Sequence, residues 1–84
     1  MGRRSRLDIY FIVLEAIGKG IDEPRRITYE TNLSWEEGCS VFDDLIKSGF
    51  IGEKNVKKFV RFYLTMKGRN VLSYFLKAIE ERAR

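Results

Sequence analysis

The first half of the chain carries the hydrophobic spacing of three α-helices. Over residues 6–18, apolar side chains recur every three or four positions and cover nearly the whole circumference. A helix this apolar should be covered on more than one side. Pro24 lies in the first turn of a short second helix over residues 23–31, where its missing N–H is not needed. Ser34 and Glu37 fit a capping box at the start of a third helix.

The boundaries of these helices depend on glycine and asparagine. Gly18-Lys19-Gly20 ends the first helix, since a glycine can take the left-handed cap conformation. The β-branched stretch Ile27-Thr28-Tyr29 would, taken alone, also fit a strand. It is assigned to a helix because Asn32-Leu33 makes a tight turn just before the third helix, which ends near residue 47. Two short helices joined by such a turn predict a helix-turn-helix over residues 23–47.

The second half of the chain predicts a β-hairpin and a last helix. Residues 50–53 and 58–64 have the composition of strands, and residues 54–57 form the turn between them. In the second strand the predicted inward positions are Val60, Phe62 and Leu64, and the outward positions are Phe59, Arg61 and Tyr63. Thr65 is a good N-cap for a helix over residues 66–82. The order of elements predicts one α+β domain over residues 1–84, a winged helix-turn-helix whose wing is the hairpin over residues 50–64.

The last helix carries two apolar stripes. The first stripe is Leu72, Phe75, Leu76 and Ile79, and the second is Val71, Tyr74 and Ala78. A domain this small cannot cover both stripes, so the second is predicted to meet its own copy in a two-fold dimer. The alternative is that both stripes pack on the first helix, which is itself apolar all round.

Composition excludes most chemistry. The 84 residues hold no histidine and one cysteine, Cys39, which rules out His-based catalysis, a Cys/His zinc site and an intrachain disulfide. Asp43 and Asp44 are neighbours on a helix and point about 100° apart, so they make a poor cation site. We expect no enzyme, no metal and no cofactor. With no membrane-length apolar run and no convincing signal peptide, we expect the chain inside the cell.

Positive charge is concentrated in two segments, although the net charge is only +4. The first is a basic arm over residues 1–6 that contains Arg3, Arg4 and Arg6. The second has no acidic residue and contains Lys54, Lys57, Lys58, Arg61, Lys67 and Arg69. The rest of the chain is net acidic. Such a distribution indicates a surface that meets an anionic partner, for which nucleic acid is the first candidate. The alternative is that these lysines only keep an edge soluble.

Several segments resemble the small winged-helix DNA-binding proteins of archaea. They are Arg3-Arg4-Ser5-Arg6-Leu7-Asp8-Ile9-Tyr10, Leu14-Glu15-Ala16-Ile17, Gly20-Ile21 with Pro24, Tyr29, Asn32-Leu33-Ser34, Leu45-Ile46, Gly49-Phe50-Ile51 and Tyr63-Leu64-Thr65-Met66-Lys67-Gly68. The resemblance covers nearly the whole chain and implies an archaeal or archaeal-virus protein that binds double-stranded DNA as a dimer. It implies a transcriptional regulator or chromatin component, in a family where some members dimerise through the C-terminal helix as an antiparallel coiled coil. Two features depart from the family: Glu36-Glu37-Gly38 replaces larger apolar or basic residues, and the last helix is short.

The third helix would ordinarily enter the major groove of DNA. Its outward face carries Glu36, Ser40, Asp43, Asp44 and Lys47, with Glu37 on its flank. So many carboxylates near phosphates cost more than they gain, and we interpret them as a solvated face. Conventional base reading by this helix is therefore not expected, although Ser40 and Lys47 remain candidate contacts.

The basic residues offer a different route to DNA. Hairpin cations could grip phosphates, the arm could track a minor groove, and the start of the second helix commonly crosses the backbone. The full candidate set is Arg3, Arg4, Arg6, Arg25, Arg26, Ser40, Lys47, Lys54, Lys57, Lys58 and Arg61. Binding should be dominated by phosphate contacts and be strongly salt-dependent, with modest sequence preference.

Three alternatives stay open. Phe59 and Tyr63 could stack on single strands, although covering the outer side of the hairpin is the simpler role. Trp35 is expected in the core. The competing function is a protein-interaction adapter in the transcription machinery that uses the acidic third helix. For the DNA-binding reading, the expected location is the cytoplasm, associated with the nucleoid, or the host cytoplasm for a viral protein.

Overall fold

The structure is a computed structural model that describes residues 5–82. Over these residues the elements are α1 (Arg6–Gly18), α2 (Pro24–Glu30), α3 (Trp35–Lys47), β1 (Ile51–Val56), β2 (Phe59–Leu64) and α4 (Met66–Arg82). The two strands form an antiparallel hairpin. This order confirms the predicted α+β fold class. None of the described helices is both long and apolar enough to cross a membrane.

The first three helices end in the same way. The residue after each C-cap has a positive φ: 102° at Gly20, 61° at Asn32 and 79° at Gly49. The next backbone N–H in each case donates to a carbonyl one turn inside the helix, in the pairs Ile21 to Ala16, Leu33 to Thr28 and Phe50 to Leu45. These are Schellman motifs, which satisfy the last carbonyls and turn the chain sharply. The motif at Asn32 therefore sets the turn between α2 and α3.

Side-chain caps begin α1 and α3. Ser34 accepts a hydrogen bond from the Glu37 N–H at 3.1 Å, as predicted. Ser5 and Asp8 form a full capping box at the start of α1, which was not predicted because Asp stands where Glu or Gln is usual. Both caps satisfy N–H groups that a helix start leaves without partners.

Thr65 joins the start of α4 to the end of α3. Its hydroxyl donates to the Gly49 carbonyl at 2.6 Å and accepts from the Gly68 N–H at 3.0 Å, which confirms the predicted N-cap. The Thr65 N–H also donates to the Phe50 carbonyl at 3.1 Å. Gly68 lies so close to that carbonyl that a β-carbon would overlap the oxygen. This junction therefore needs glycine at position 68.

The hairpin is longer than predicted, and its turn lies elsewhere. Val56 pairs with Phe59, so the loop is only Lys57-Lys58, and the predicted turn over residues 54–57 is wrong. Lys57 and Lys58 have φ values of 50° and 73°. Two successive positive φ values in a two-residue loop define a type I′ turn, whose twist matches that of the strands.

The core lies between the three N-terminal helices, the hairpin and the first part of α4. Its buried residues are Ile9, Val13, Leu14, Ala16, Ile17, Ile27, Leu33, Val41, Phe42, Leu45, Ile51, Phe62 and Leu72. The rings of Phe42 of α3 and Phe62 of β2 pack against each other at an angle of 50°, with their centroids 4.7 Å apart. Gly38 allows α2 and α3 to approach, because a β-carbon there would overlap the Thr28 methyl group. The hairpin and α3 are thus held on one core.

The predicted division of α4 into a buried and an exposed stripe is wrong. Leu72 is buried and Phe75 meets Phe11 of α1 edge-on at 5.8 Å, as expected of the first stripe. Val71 of the second stripe also packs on the core, and Ala78 lines a groove against α1. The large apolar residues that stay exposed near the end of α4 are Tyr74, Leu76 and Ile79. The inward face of α4 therefore lies between the two stripes: Ile79 lines the groove together with Ala78, and Tyr74 and Leu76 lie on opposite sides of this face.

Candidate nucleic-acid interface

The hairpin carries three exposed lysines at and near its tight turn. Lys57 and Lys58 form the turn, and Lys54 lies in the third strand pair from it, opposite Arg61. Type I′ turns favour Gly, which has no β-carbon, and Asn, whose short polar side chain bonds locally, whereas other residues cost about 1 kcal/mol or more in the left-handed region. Lysines at both positions therefore place two exposed cations at the tip despite a cost in stability.

Arg61 is the exception among the hairpin cations. Its Nη1 lies 2.8 Å from Glu23 Oε2, and this hydrogen bond is the main cause that raises the pKa of Arg61. The neighbouring Phe62 N–H donates to the Asp22 carbonyl at 2.9 Å. Together these contacts fasten β2 to the residues that precede α2. Arg61 is thus engaged within the protein rather than free at the tip.

Arg6 bridges α1 and α3. Its Nη2 lies 2.7 Å from Asp44 Oδ2 and 2.8 Å from Ser40 Oγ, and its Nε donates to Tyr10 Oη at 3.2 Å. The Tyr10 hydroxyl also donates to Asp44 at 2.7 Å. The bond from Arg6, and then that from Tyr10, lowers the pKa of Asp44. Arg6 therefore belongs to α1 and not to an extended arm.

These contacts change the electrostatics of α3. Arg6 compensates the negative charge of Asp44, so the outward face of α3 is less acidic than the sequence suggests. Glu36, Glu37 and Asp43 are exposed, as is Lys47 in the last turn. Glu36 and Glu37 lie in the first turn, where the positive end of the helix dipole favours them. The face remains acidic near its start and gives no basic surface for a major groove.

The start of α2 carries the remaining predicted arginines. The Arg25 guanidinium lies 4.7 Å from the centre of the Trp35 ring, in a cation–π contact across the helix-turn-helix. Arg26 is 3.9 Å from Glu30 in an exposed pair that adds little. Trp35 is 42% exposed, so the prediction that it lies in the core is wrong.

The structure sorts the candidate residues into separate groups. Lys54, Lys57 and Lys58 lie together at the hairpin tip, and Arg25 and Arg61 line one cavity beside α2. Arg6 of α1 meets Ser40 and Asp44 of α3, and Lys47 lies in the last turn of α3, three residues after Asp44. Arg3 and Arg4 lie outside the described residues.

Tyr63 has the simpler of its two predicted roles, whereas the contact of Trp35 was not predicted. Tyr63 covers Gly52 on the opposite strand, since a β-carbon on Gly52 would lie 2.5 Å from its ring, and this explains its role without a ligand. Trp35 contacts Arg25 across the turn between α2 and α3. The one signal for this contact in the sequence is the position of Trp35 at the start of α3. Lys67 was counted in the basic segment, but it donates to the Ser48 carbonyl at 3.0 Å and lies over the Phe50 ring.

The arrangement of a helix-turn-helix followed by a β-hairpin and a further helix defines a winged helix-turn-helix protein. The family comparison agrees: the chain belongs to the winged helix-turn-helix family, whose model matches residues 3–83. No curated protein sequence matches the chain significantly.

Solved structures share the fold at low identity. The DNA-binding protein Sso10a-2 from Sulfolobus solfataricus matches with a TM-score of 0.80 at 20% identity, over 95% of this chain and 83% of that one. A MarR family protein from Bacillus stearothermophilus gives 0.81 at 15% identity, over 88% of this chain and 54% of its own. A protein of unknown function from Listeria innocua gives 0.81 at 20% identity, over 87% of this chain, and the match spans 52% of that protein. At these identities the likeness shows a common fold.

Proposed function

We propose that this chain binds double-stranded DNA, mainly through phosphate contacts from its wing, as a transcriptional regulator or chromatin component. The observation that carries the proposal is the Lys57-Lys58 turn, where two exposed cations occupy left-handed positions that Asn and Gly would fill at lower cost. Family membership supports it, as does the shared fold with a protein described as DNA-binding.

The proposed contact surface extends from the wing to the start of α2. One stretch of the DNA backbone is bound by the wing lysines Lys54, Lys57 and Lys58. A second stretch, where α2 crosses the DNA backbone, is bound by Arg25 and Arg26. Arg3 and Arg4 add a basic arm. Phosphates carry no sequence information, and the start of α3 is acidic, so we expect modest sequence preference. This function places the protein on the nucleoid.

We also propose that two chains pair through α4. Leu76 is 42% exposed and Ile79 50%, and the two lie about 60° apart on the same side of the helix. A two-fold partner would cover this side. Of the residues first assigned to this interface, Val71 and Ala78 are partly covered within the chain, and Tyr74 lies on the side of α4 away from Leu76. The pairing doubles the number of phosphate contacts.

The first test is a double variant that removes the charge of the turn while preserving its shape. Lys57→Asn with Lys58→Gly installs the preferred type I′ pair, so we expect a gain in stability of about 1 kcal/mol. The slope of log affinity against log salt for a duplex should fall by roughly two per protomer, because two phosphate contacts are lost. Fluorescence anisotropy on a labelled duplex of about 25 base pairs, long enough for two half-sites, measures this slope.

The matched control removes two lysines elsewhere. Lys19→Gln with Lys77→Gln changes the net charge equally, and both side chains are exposed. We expect this control to leave the slope close to that of the wild type. An equal fall in both variants would show that net charge alone drives binding and would contradict a wing-led contact.

The adapter function predicts the opposite pattern. Glu36, Glu37 and Asp43 stay exposed on α3 and suit a basic protein partner. If no duplex binds even at low salt, the DNA proposal fails. Neutralising these three residues should then abolish binding to a transcription-machinery partner, whereas the turn variant should not.

A further inference from the structure

An open cavity lies between the starts of α2 and α3 and strand β2. Its volume is about 330 Å³, and its lining residues are Glu23, Pro24, Arg25, Trp35, Phe59, Val60 and Arg61. This volume falls at the lower end of the range for small-ligand pockets, ~300–1,000 Å³. Two of its walls are aromatic rings, one from α3 and one from the wing. Such walls fit a flat, largely apolar group.

These apolar side chains are unusually exposed. Phe59 is 65% exposed, Trp35 42% and Val60 38%. Removing such surface from water is favourable, and a cluster of this kind on a small domain indicates that something covers it. Phe59 is not needed to cover the hairpin, because Tyr63 already covers Gly52.

The charges around the cavity favour a polyanion that carries rings. Arg25 stacks on one face of Trp35, and Lys57 and Lys58 directly precede Phe59 in the wing. Within the lining, Glu23 is bound to Arg61, so that pair adds no net charge. The lining therefore keeps one net positive charge, from Arg25, and the turn lysines adjoin Phe59 along the wing. Aromatic platforms beside cations are the arrangement that holds single-stranded nucleic acid, by stacking the bases and binding the phosphates.

We propose that this cavity binds one unpaired nucleobase of DNA, stacked against Trp35 and Phe59, while Arg25 and the turn lysines hold the adjoining phosphates. The chain then prefers a duplex next to a single-stranded nucleotide over an uninterrupted duplex. This inference rests on the proposed DNA binding and adds to it the class of DNA. It differs from stacking on Phe59 and Tyr63, since Tyr63 is occupied with Gly52.

The test compares three DNAs: a blunt duplex, the same duplex with a short single-stranded overhang, and the overhang sequence alone. Anisotropy should show the overhang duplex binding at least about fivefold tighter than the blunt one, from the stacking of one base. Trp35 is the sole tryptophan, so its fluorescence reports directly on the cavity. It should be quenched by the overhang duplex and not by the blunt one.

Phe59→Ala removes one wall without touching the core, because the side chain is exposed. It should abolish the preference for the overhang and leave blunt-duplex affinity within about twofold, since no phosphate contact is lost. Tyr29→Ala is the control, an 83% exposed aromatic outside the cavity, and should retain the preference.

The outcomes separate this inference from the proposed function. Equal affinity for blunt and overhang duplexes, with a steep salt dependence for both, overturns the base site and leaves duplex binding intact. No binding of any DNA overturns both. Trp35 quenching that rises with protein concentration in the absence of DNA shows a second copy in the cavity and overturns the base site. Binding of the isolated strand with an affinity equal to that of the overhang duplex overturns the preference for a junction.

Discussion

A single added carbon atom at Gly68 would disrupt the junction between the end of α3 and the start of α4. A β-carbon at this position would overlap the Phe50 carbonyl oxygen, which is backbone and accepts the Thr65 N–H. Neither group can move without breaking the junction between α3 and α4. Helix propensity alone would favour alanine over glycine at this position by about 0.5–1 kcal/mol. Steric overlap opposes this preference and is the larger effect.

Gly68→Ala should therefore destabilise the protein by about 2 kcal/mol or more, since overpacking against backbone cannot relax. Urea unfolding followed by circular dichroism measures the change. Ser73→Ala, an exposed position in the same helix, is the control and should be neutral or slightly stabilising. A neutral Gly68→Ala variant would show that the junction adapts.

At the same scale, Asp44 makes stability depend on pH in the acid range. Its pKa is lowered in the folded state by Arg6 and Tyr10, so the folded protein binds fewer protons there than the unfolded chain. The contribution is present above the unfolded-state pKa, which is near 3.8, and is lost as the pH falls through the lowered folded value. Below about pH 4 the wild-type protein should lose this contribution to the free energy of unfolding, whereas Asp44→Asn, which cannot titrate at this position, should show no such loss.

Unfolding free energies measured from pH 6 to pH 2.5 test this. Arg6→Met should remove the larger part of this pH dependence, and adding Asp44→Asn should remove the remainder that the Tyr10 hydrogen bond sustains. If Asp44→Asn keeps the full wild-type pH dependence, the pair does not matter for stability.

Among the elements, the wing depends on its attachment to α2. The Arg61–Glu23 pair and the bond from the Phe62 N–H to Asp22 are the contacts that fix β2 there. Arg61→Met should therefore speed hydrogen exchange at the Phe62 amide, because the local opening becomes easier. The salt slope of duplex binding should fall by much less than one, unlike that of Lys58→Gln, since Arg61 is already paired.

Hydrogen exchange by NMR and the anisotropy titration give these two readouts separately. The Lys58→Gln variant serves as the reverse control, with a lower slope and unchanged exchange at Phe62. Should Arg61→Met lower the slope as much as Lys58→Gln, Arg61 contacts DNA in spite of Glu23.

Elements were predictable from the sequence wherever their signals are local. Ser34, Thr65 and Gly20 gave helix limits, because capping chemistry acts over a few residues. The hairpin turn was misplaced since Lys57-Lys58 lacks the Asn-Gly signature of its turn type. No local pattern could place Arg6 on Asp44 or Arg61 on Glu23, because each pair joins residues far apart in the chain. The candidate site was therefore predicted as a set of charges but not as a geometry.

For the whole molecule, the exposed end of α4 predicts an oligomer. Leu76→Glu with Ile79→Glu should convert a dimer to a monomer, since charges buried between apolar helices are costly. Sedimentation equilibrium measures the mass. Neither side chain is in the buried core, so the monomer should remain folded by circular dichroism.

Glu80→Gln, on the same helix, is the control and should leave the dimer in place. A wild-type chain that sediments as a monomer at all concentrations would contradict the pairing. Duplex affinity should fall in the double Glu variant, because a monomer offers half of the phosphate contacts.

The junction around Thr65 has a consequence for how two such chains would measure DNA. The Thr65 hydroxyl and N–H bond the start of α4 to the carbonyls of Gly49 and Phe50, which directly follow α3. The wing packs on the same core, so in a dimer held by α4 the distance between the two wings is set by the angle at which the α4 helices cross. Half-sites on DNA must lie about one helical turn apart, ~34 Å, or a multiple of it. A small rotation of one α4 helix against its partner would therefore change the length of DNA that the dimer can span.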